Sequence, residues 1–429
     1  MKRFLKMAVF MAAVGLLSFT AEAQNIYDFI DVSLRGDTLF YTIIDDTESL
    51  VSVRGSDSIV YGDTLLLPST VEHLGLQYTV TEVGDTAFWR HNELVYVGLP
   101  DSLRIINSAA FCADSSLKIV TMPEGLVSIG RLAFAYCTSL RSITIPSTVA
   151  VIGKASFYGA FRKSRTAEVV IANASATIEW GAFYYSNITS IDLGDSVRSI
   201  DSYAFSSCNR LDSLIIPPSV TYIGSMACCY NYMGGPHKIR LPEGIDTIRY
   251  QAFAGNFYLE EINIPSSVVY IDSAAFWECV KLPEITLPEN LCYLGDYAFS
   301  DCGNISKMRS LATTPPRAFA NTFSNMDHGL VLTVPCGSLE AYQNEAGWSY
   351  FTNIYDDCEA VESPYNNSFF SVVTCGTTIF VTNRVGEMSL YDLFGRRVAY
   401  STCNTIEAPS AGLYLLCIDN ASPVKVVVL

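Results

Sequence analysis

Few residues in this chain stand in patterns that do chemistry. Its four histidines, His73, His91, His237 and His328, are far apart, and none falls in the H-x-x-x-H or C-x-x-C spacing that holds zinc. There is no G-x-S-x-G elbow, no phosphate-cradling G-x-x-x-x-G-K-[ST] loop and no G-x-G-x-x-G turn. Carboxylates are plentiful, but spacing alone cannot single out the paired acids of a glycosidase. The sequence therefore assigns no catalytic residue, metal ligand or cofactor, and the chain reads as non-enzymatic. Arg35-Gly36-Asp37 matches the integrin-binding tripeptide, yet a hairpin turn with Gly at its tip explains it as simply.

The order in the chain lies elsewhere. A Phe preceded by a small residue recurs at Phe88, Phe111, Phe134, Phe157, Phe183, Phe205, Phe253, Phe276 and Phe299, with Cys228 in the same register. The intervals are 23, 23, 23, 26, 22, 23, 25, 23 and 23 residues. Five residues before each anchor sits an aliphatic, such as Ile106, Ile129 or Ile271. About six after it comes a Leu, then apolar positions three and five further on, as in Leu140, Ile143 and Ile145, and Pro commonly follows. L-x-x-I-x-I-P is a short strand with one face turned inward, closed by a residue that cannot donate to a ladder. One such unit cannot bury both its strand and its Phe. Stacked units can, so the expected fold is a quasi-one-dimensional solenoid of about ten coils over 80–310 with the Phe rings stacked inside.

The stretch Ile129-Gly-Arg-Leu-Ala-Phe134-Ala-Tyr-Cys137-Thr-Ser-Leu140-Arg-Ser-Ile143-Thr-Ile145-Pro146 closely resembles the leucine-rich repeat of the BspA-like surface proteins of Bacteroidetes and other microbes. The resemblance covers more than half of the chain. It implies a leucine-rich repeat solenoid, curved, with short parallel strands on the concave face. It also implies surface exposure and adhesion to host glycoproteins.

Cys137, Cys208, Cys279 and Cys302 all lie three residues after an anchor Phe. There they read as small buried hydrophobes, not as a disulfide framework, because parallel Cβ vectors one strand apart fit a disulfide poorly. The vicinal pair Cys228-Cys229 reads as a core substitution. The 26-residue interval holds a basic stretch, Phe161-Arg-Lys-Ser-Arg165, and the 25-residue interval holds Asn231-Tyr-Met-Gly-Gly-Pro-His237. Both read as loops, open to either neutral drift or binding.

The ends differ from the middle. Residues 1–23 read as a secretory signal peptide: Lys2, Arg3 and Lys6, an apolar run from Ala8 to Phe19, then Ala21-Glu22-Ala23 for cleavage. Residues 24–79 are strand-like and are expected to cap the solenoid. Residues 311–355 read as a closing segment in which Trp348 and Phe351 cover the last coil, and 356–367 as a linker. Residues 368–429 form a small β-sandwich-like unit. Its Asp392-Leu-Phe-Gly-Arg396, Gly412-Leu-Tyr-Leu415 and terminal Lys425-Val-Val-Val428 resemble the C-terminal sorting domain of the type IX secretion system, which implies export machinery as a partner.

The net charge is −16, and −18 without residues 1–23, which disfavours nucleic acid and anionic membranes as partners. No later run is apolar for long enough to span a bilayer. By register, the strands turn outward Tyr96, Ser142, Thr144, Ser190, Asp192, Lys238, Arg240, Glu261, Asn263 and Glu284, the candidate binding face for an extracellular protein or glycoprotein. The expected location is secreted or on the outer-membrane surface. A scaffold of the cell envelope without a host ligand, and a hydrolase accessory module, are the alternatives.

Overall fold

The computed structural model describes residues 28–32, 38–55, 61–327 and 329–358, and in the C-terminal unit 371–375, 377–382, 387–392, 396–401, 405–418 and 424–428. The signal-peptide reading, Arg35-Gly36-Asp37, His328, most of the linker, Gly395 and Cys403 lie outside the described residues.

The chain winds into a parallel β-solenoid of about twelve coils. Three ladders of backbone hydrogen bonds join each coil to the next. The first is built from two-residue strands at the aliphatic before each anchor, with Ile106, Ile129, Ile152, Ile178, Ile200 and Ile223 in register. The second is the L-x-x-I-x-I strand, as where Ser142–Ile145 pairs in parallel with Glu168–Ile171. The third runs through the anchor segment: Leu132, Phe134 and Tyr136 donate their N–H groups to the carbonyls of Lys154, Ser156 and Tyr158 one coil on.

That third ladder requires an unusual backbone. The residues two before and two after each anchor have positive φ, for example Leu132 (58°) and Tyr136 (59°) around Phe134, and Ala274 (54°) and Glu278 (58°) around Phe276. A side chain in this region costs roughly 1–2 kcal/mol. The alternation nevertheless lets three N–H groups per segment point along the solenoid axis, and it turns the Phe into the core, with the small residue before it buried too. The rings stack at centroid spacings of 5.3, 5.3, 5.4, 5.1 and 5.5 Å from Phe88 to Phe205. Cys228 interrupts the stack, which resumes at Phe253 and runs to Phe323.

The consensus cysteines do more than fill space. Each thiol donates to the carbonyl of the preceding coil's anchor: Cys137 to Phe111, Cys208 to Phe183, Cys279 to Phe253 and Cys302 to Phe276, at 3.0–3.3 Å. Asn256, in the same register, donates to the Cys228 carbonyl at 2.7 Å. Burial pushes the thiols up, Cys208 and Cys302 to about 12, so they stay protonated donors. Cys228 and Cys229 are likewise buried and free, as a core substitution requires.

The ladders outrun the recognisable period at both ends. Thr64–Leu66 pairs with Tyr96–Gly98, and Leu50–Arg54 pairs in parallel with Leu76–Val83. Lys307–Ser310, Val331–Val334 and Asn353–Asp356 continue the strand ladder beyond the last anchor of the repeat. Trp348 and Phe351 pack on Phe323 and end the ring stack, and the Trp348 indole donates to the Pro316 carbonyl at 2.7 Å.

Beside a disulfide on which the sequence carried no expectation, one sequence expectation needs correction, the loop at Phe161. A disulfide joins Cys336 to Cys358, with Cα atoms 4.6 Å apart. The cysteines extend the register of Val334 and Asp356 two residues past the strand ends. Phe161 belongs to no surface loop: it is fully buried against Phe157, and only Arg162, Lys163 and Arg165 project.

The C-terminal unit has two antiparallel sheets. Ser371–Cys375, Thr378–Thr382 and Thr405–Glu407 form one, and Met388–Tyr391, Arg397–Ser401, Gly412–Ile418 and Val424–Val428 the other. Ile379, Val381 and Ile406 share one core with Leu390, Leu416 and Val426, which makes a small sandwich.

Replacing Phe134 with Ala removes a ring stacked on both sides and should cost about 3–5 kcal/mol, read from urea unfolding of the full chain. Asp114 offers a second test. It occupies the register of the donor cysteines, is fully buried, and neither carboxylate oxygen has a hydrogen-bond partner. Burial raises its pKa well above the usual carboxylate range. A carboxyl that holds its proton better in the folded chain stabilises the fold fully below the unfolded pKa of about 4. That contribution is lost as pH climbs towards the folded value. Asp114→Asn should therefore stabilise the protein at pH 7.5 by on the order of 1–3 kcal/mol, with the gain vanishing near pH 4.

Candidate binding face

Along the strand ladder, every second side chain serves the core and the others are free. Ile143, Val169, Leu214, Ile239, Ile262 and Ile285 are buried, while their sequence neighbours face outward. The predicted face residues all fall on this outward side in two parallel columns. The first column passes through Tyr96, Ser142, Glu168, Ser190, Lys238, Glu261 and Glu284. The second passes through Thr121, Thr144, Asp192, Arg240, Asn263 and Thr286.

The two halves of this face differ. From Tyr96 to Asp192 it is mostly neutral, with exposed Ile119 and Val170 among hydroxyls, and Tyr96 shares its hydroxyl with Thr121 at 3.3 Å. From Lys238 onward it is charged. Lys238 pairs with Glu261, its direct register partner, and Arg240 reaches the same carboxylate at 4.0 Å. The hydrogen bond from Lys238 holds the Glu261 carboxyl below its usual range. Ion pairs this exposed are worth about 0–1 kcal/mol, so they shape the surface more than they hold the fold.

Asn263 behaves differently. Its amide is spent on the backbone of Leu241, accepting from the N–H at 2.9 Å and donating to the carbonyl at 3.0 Å. It locks one coil to the next and is a poor contact residue.

The strand face also includes residues that the sequence pattern missed. Lys307 and Arg309 lie beside Glu284 and Thr286 and border an open groove of about 420 Å³ with Val331 and Thr333. Arg309 bonds Asp357 at 2.7 Å. The alternation in Lys307-Met-Arg-Ser310 was the available signal. It went unread because Ser310 and Leu311 stand where the strand pattern has an aliphatic and Pro. Among the described residues no cluster of three His, Cys, Asp or Glu could hold a metal, and no helix is long and apolar enough to cross a membrane.

Coil length, three ladders and an outward strand face define a leucine-rich repeat solenoid. A family model described as the BspA type leucine-rich repeat region matches residues 68–160, 158–256 and 227–328. These spans cover more than half of the chain, and the protein belongs to that family. Among solved structures, a leucine-rich repeat protein from Bacteroides ovatus is 21% identical, covering 77% of this chain and 76% of that one, with a TM-score of 0.43. The pneumococcal vaccine antigen PcpA is 16% identical over 77% of this chain and 98% of its own, with a TM-score of 0.41. A leucine-rich cell surface protein from Faecalibacterium prausnitzii is 20% identical over 67% and 96%, with a TM-score of 0.31. A search of curated proteins gave no match.

Proposed function

We propose that this is a non-enzymatic, exported recognition protein that binds an extracellular protein or glycoprotein through its strand face, adhesin-like, at a bacterial surface. The observation that carries this reading is the outward register: two columns of side chains across the coils, nearly all without a role in the core. Membership of the BspA-type repeat family supports it. The charged stretch from Lys238 to Arg309 would set orientation and partner choice, and the neutral stretch from Tyr96 to Asp192 would supply contact area. Lys238→Glu/Arg240→Glu should weaken saturable binding to a responsive extracellular-matrix glycoprotein at least tenfold, and lower Tm by no more than a few degrees. Unchanged binding would move the site off this face. Absence of any saturable ligand across a matrix panel would favour an envelope scaffold.

Export is part of the same proposal. The Cys336–Cys358 disulfide supports an oxidising destination, since such bonds seldom persist in the cytosol. The C-terminal sandwich, with Asp392 accepting from the Arg396 side chain at 2.8 Å, would serve as the sorting signal. Deleting residues 368–429 should leave the protein inside the cell envelope of its host. Surface display of the shortened chain at the level of the full one, seen by protease shaving, would contradict that role.

A further inference from the structure

On the side of the solenoid formed by the anchor segments, four successive coils enclose an open cleft of about 340 Å³. Its walls are Tyr250 and Tyr297, which are 42% and 45% exposed. They come from coils separated by one intervening coil. At the two tyrosine registers that coil carries only Ser273 and Ala274, with Trp277 further along it, so a slot opens where each flanking coil carries a tyrosine. With coils about 4.8 Å apart, the flanking backbones are roughly 10 Å apart. A flat ring in van der Waals contact with a wall on each side needs two contacts of about 3.5–4 Å each.

The slot is equipped as well as shaped. Trp277 is half-buried in it, and its indole N–H donates to Asp301 at 3.0 Å. Ser300 and Asn325 also donate to Asp301, at 2.7 and 3.0 Å. Burial pushes the Asp301 carboxyl up, but these three donors outweigh it and hold the group ionised and fixed in orientation. Among the described residues, by contrast, no ring stacks on Tyr250 or Tyr297 and neither hydroxyl has a hydrogen-bond partner, unlike Tyr270 and Tyr293, which stack on each other at 4.3 Å. Aromatic faces left open beside an oriented carboxylate and amide match one chemistry closely. A pyranose ring offers C–H faces to the rings and hydroxyls to the acceptors at its edge. No cation lines the cleft, and Asp296 and Asp301 make it acidic, so sialic and uronic acids are excluded.

We propose that this cleft is a saccharide subsite for a neutral hexose or N-acetylhexosamine unit. It is separate from the strand face and does not depend on that face binding anything. Tyr250 and Tyr297 would sandwich the sugar, and Asp301 and Asn325 would read its hydroxyls.

The test is Tyr250→Ser/Tyr297→Ala in the full chain. Ser already fills the Tyr250 register at Ser202, Ser225 and Ser273, and Ala fills that of Tyr297 at Ala109, Ala155 and Ala274, so the coil tolerates both. Calorimetric titration should use maltotriose, N,N′,N″-triacetylchitotriose and sialyllactose. The expected result is saturable binding of a neutral trisaccharide, none of sialyllactose, and at least a tenfold loss in the double variant with Tm unchanged. Lys238→Glu/Arg240→Glu should leave the sugar titration as it was. Failure of both neutral probes, or equal binding by the double variant, would overturn the proposal.

Discussion

A coil of 22 to 26 residues cannot enclose its own Phe, so each anchor must be covered by the coil that follows. Everything else in the solenoid follows from keeping successive backbones close enough for that contact. Three hydrogen-bond ladders hold the spacing, and the anchor-segment ladder does so only by accepting two left-handed residues per coil. The small residue before each anchor is nearly always Ala and is buried, because the segment lies against its neighbours. The thiol three residues after the anchor adds a second, inter-coil donor to a carbonyl that already accepts a bond within its own coil. Where a coil departs from the consensus, the same demand reappears in another form. Asn256 donates in place of a thiol, and Trp348 and Phe351 cover the last ring.

Much of this was legible because a period exposes itself. The anchor, the aliphatic five before it and the alternating strand fixed which side chains point inward, and from them the outward columns. What the pattern could not supply were contacts whose partners lie in different coils. Lys238 and Glu261 are 23 residues apart, which becomes adjacency only once the register is known to be exact. Cys336 and Cys358 sit where the consensus has faded, and their pairing depends on strands that the period does not announce. Phe161 looked like part of a basic loop, yet the longer coil needed a second aromatic to fill its larger interior. The cleft at Tyr250 and Tyr297 is harder still, since it is defined by a missing bulk at Ala274 one coil between them.

The division of labour in each strand explains how one scaffold can be stable and still free to recognise. Inward positions carry burial worth about 1.5–3 kcal/mol per large aliphatic. Outward positions carry little of that, and most can change without disturbing a ladder. Asn263 and Asp114 mark the limits of the rule: one is an outward side chain bound to the backbone, the other a buried carboxyl tolerated in a donor's place. The strand face and the anchor-segment cleft lie on different sides of the coil, so a solenoid of this kind can present two chemically distinct surfaces.

The most direct test of the central claim is one multiple variant in which Thr144, Asp192, Lys238, Arg240, Glu261 and Glu284 all become Ser, followed in parallel by thermal unfolding and by binding to a panel of extracellular-matrix glycoproteins. The account predicts a cooperative transition within a few degrees of the parent protein, together with loss of the parent's saturable binding to those proteins once their glycans are removed. A variant that no longer folds would show that the outward columns are structural, and one that binds as well as its parent would show that recognition lies elsewhere.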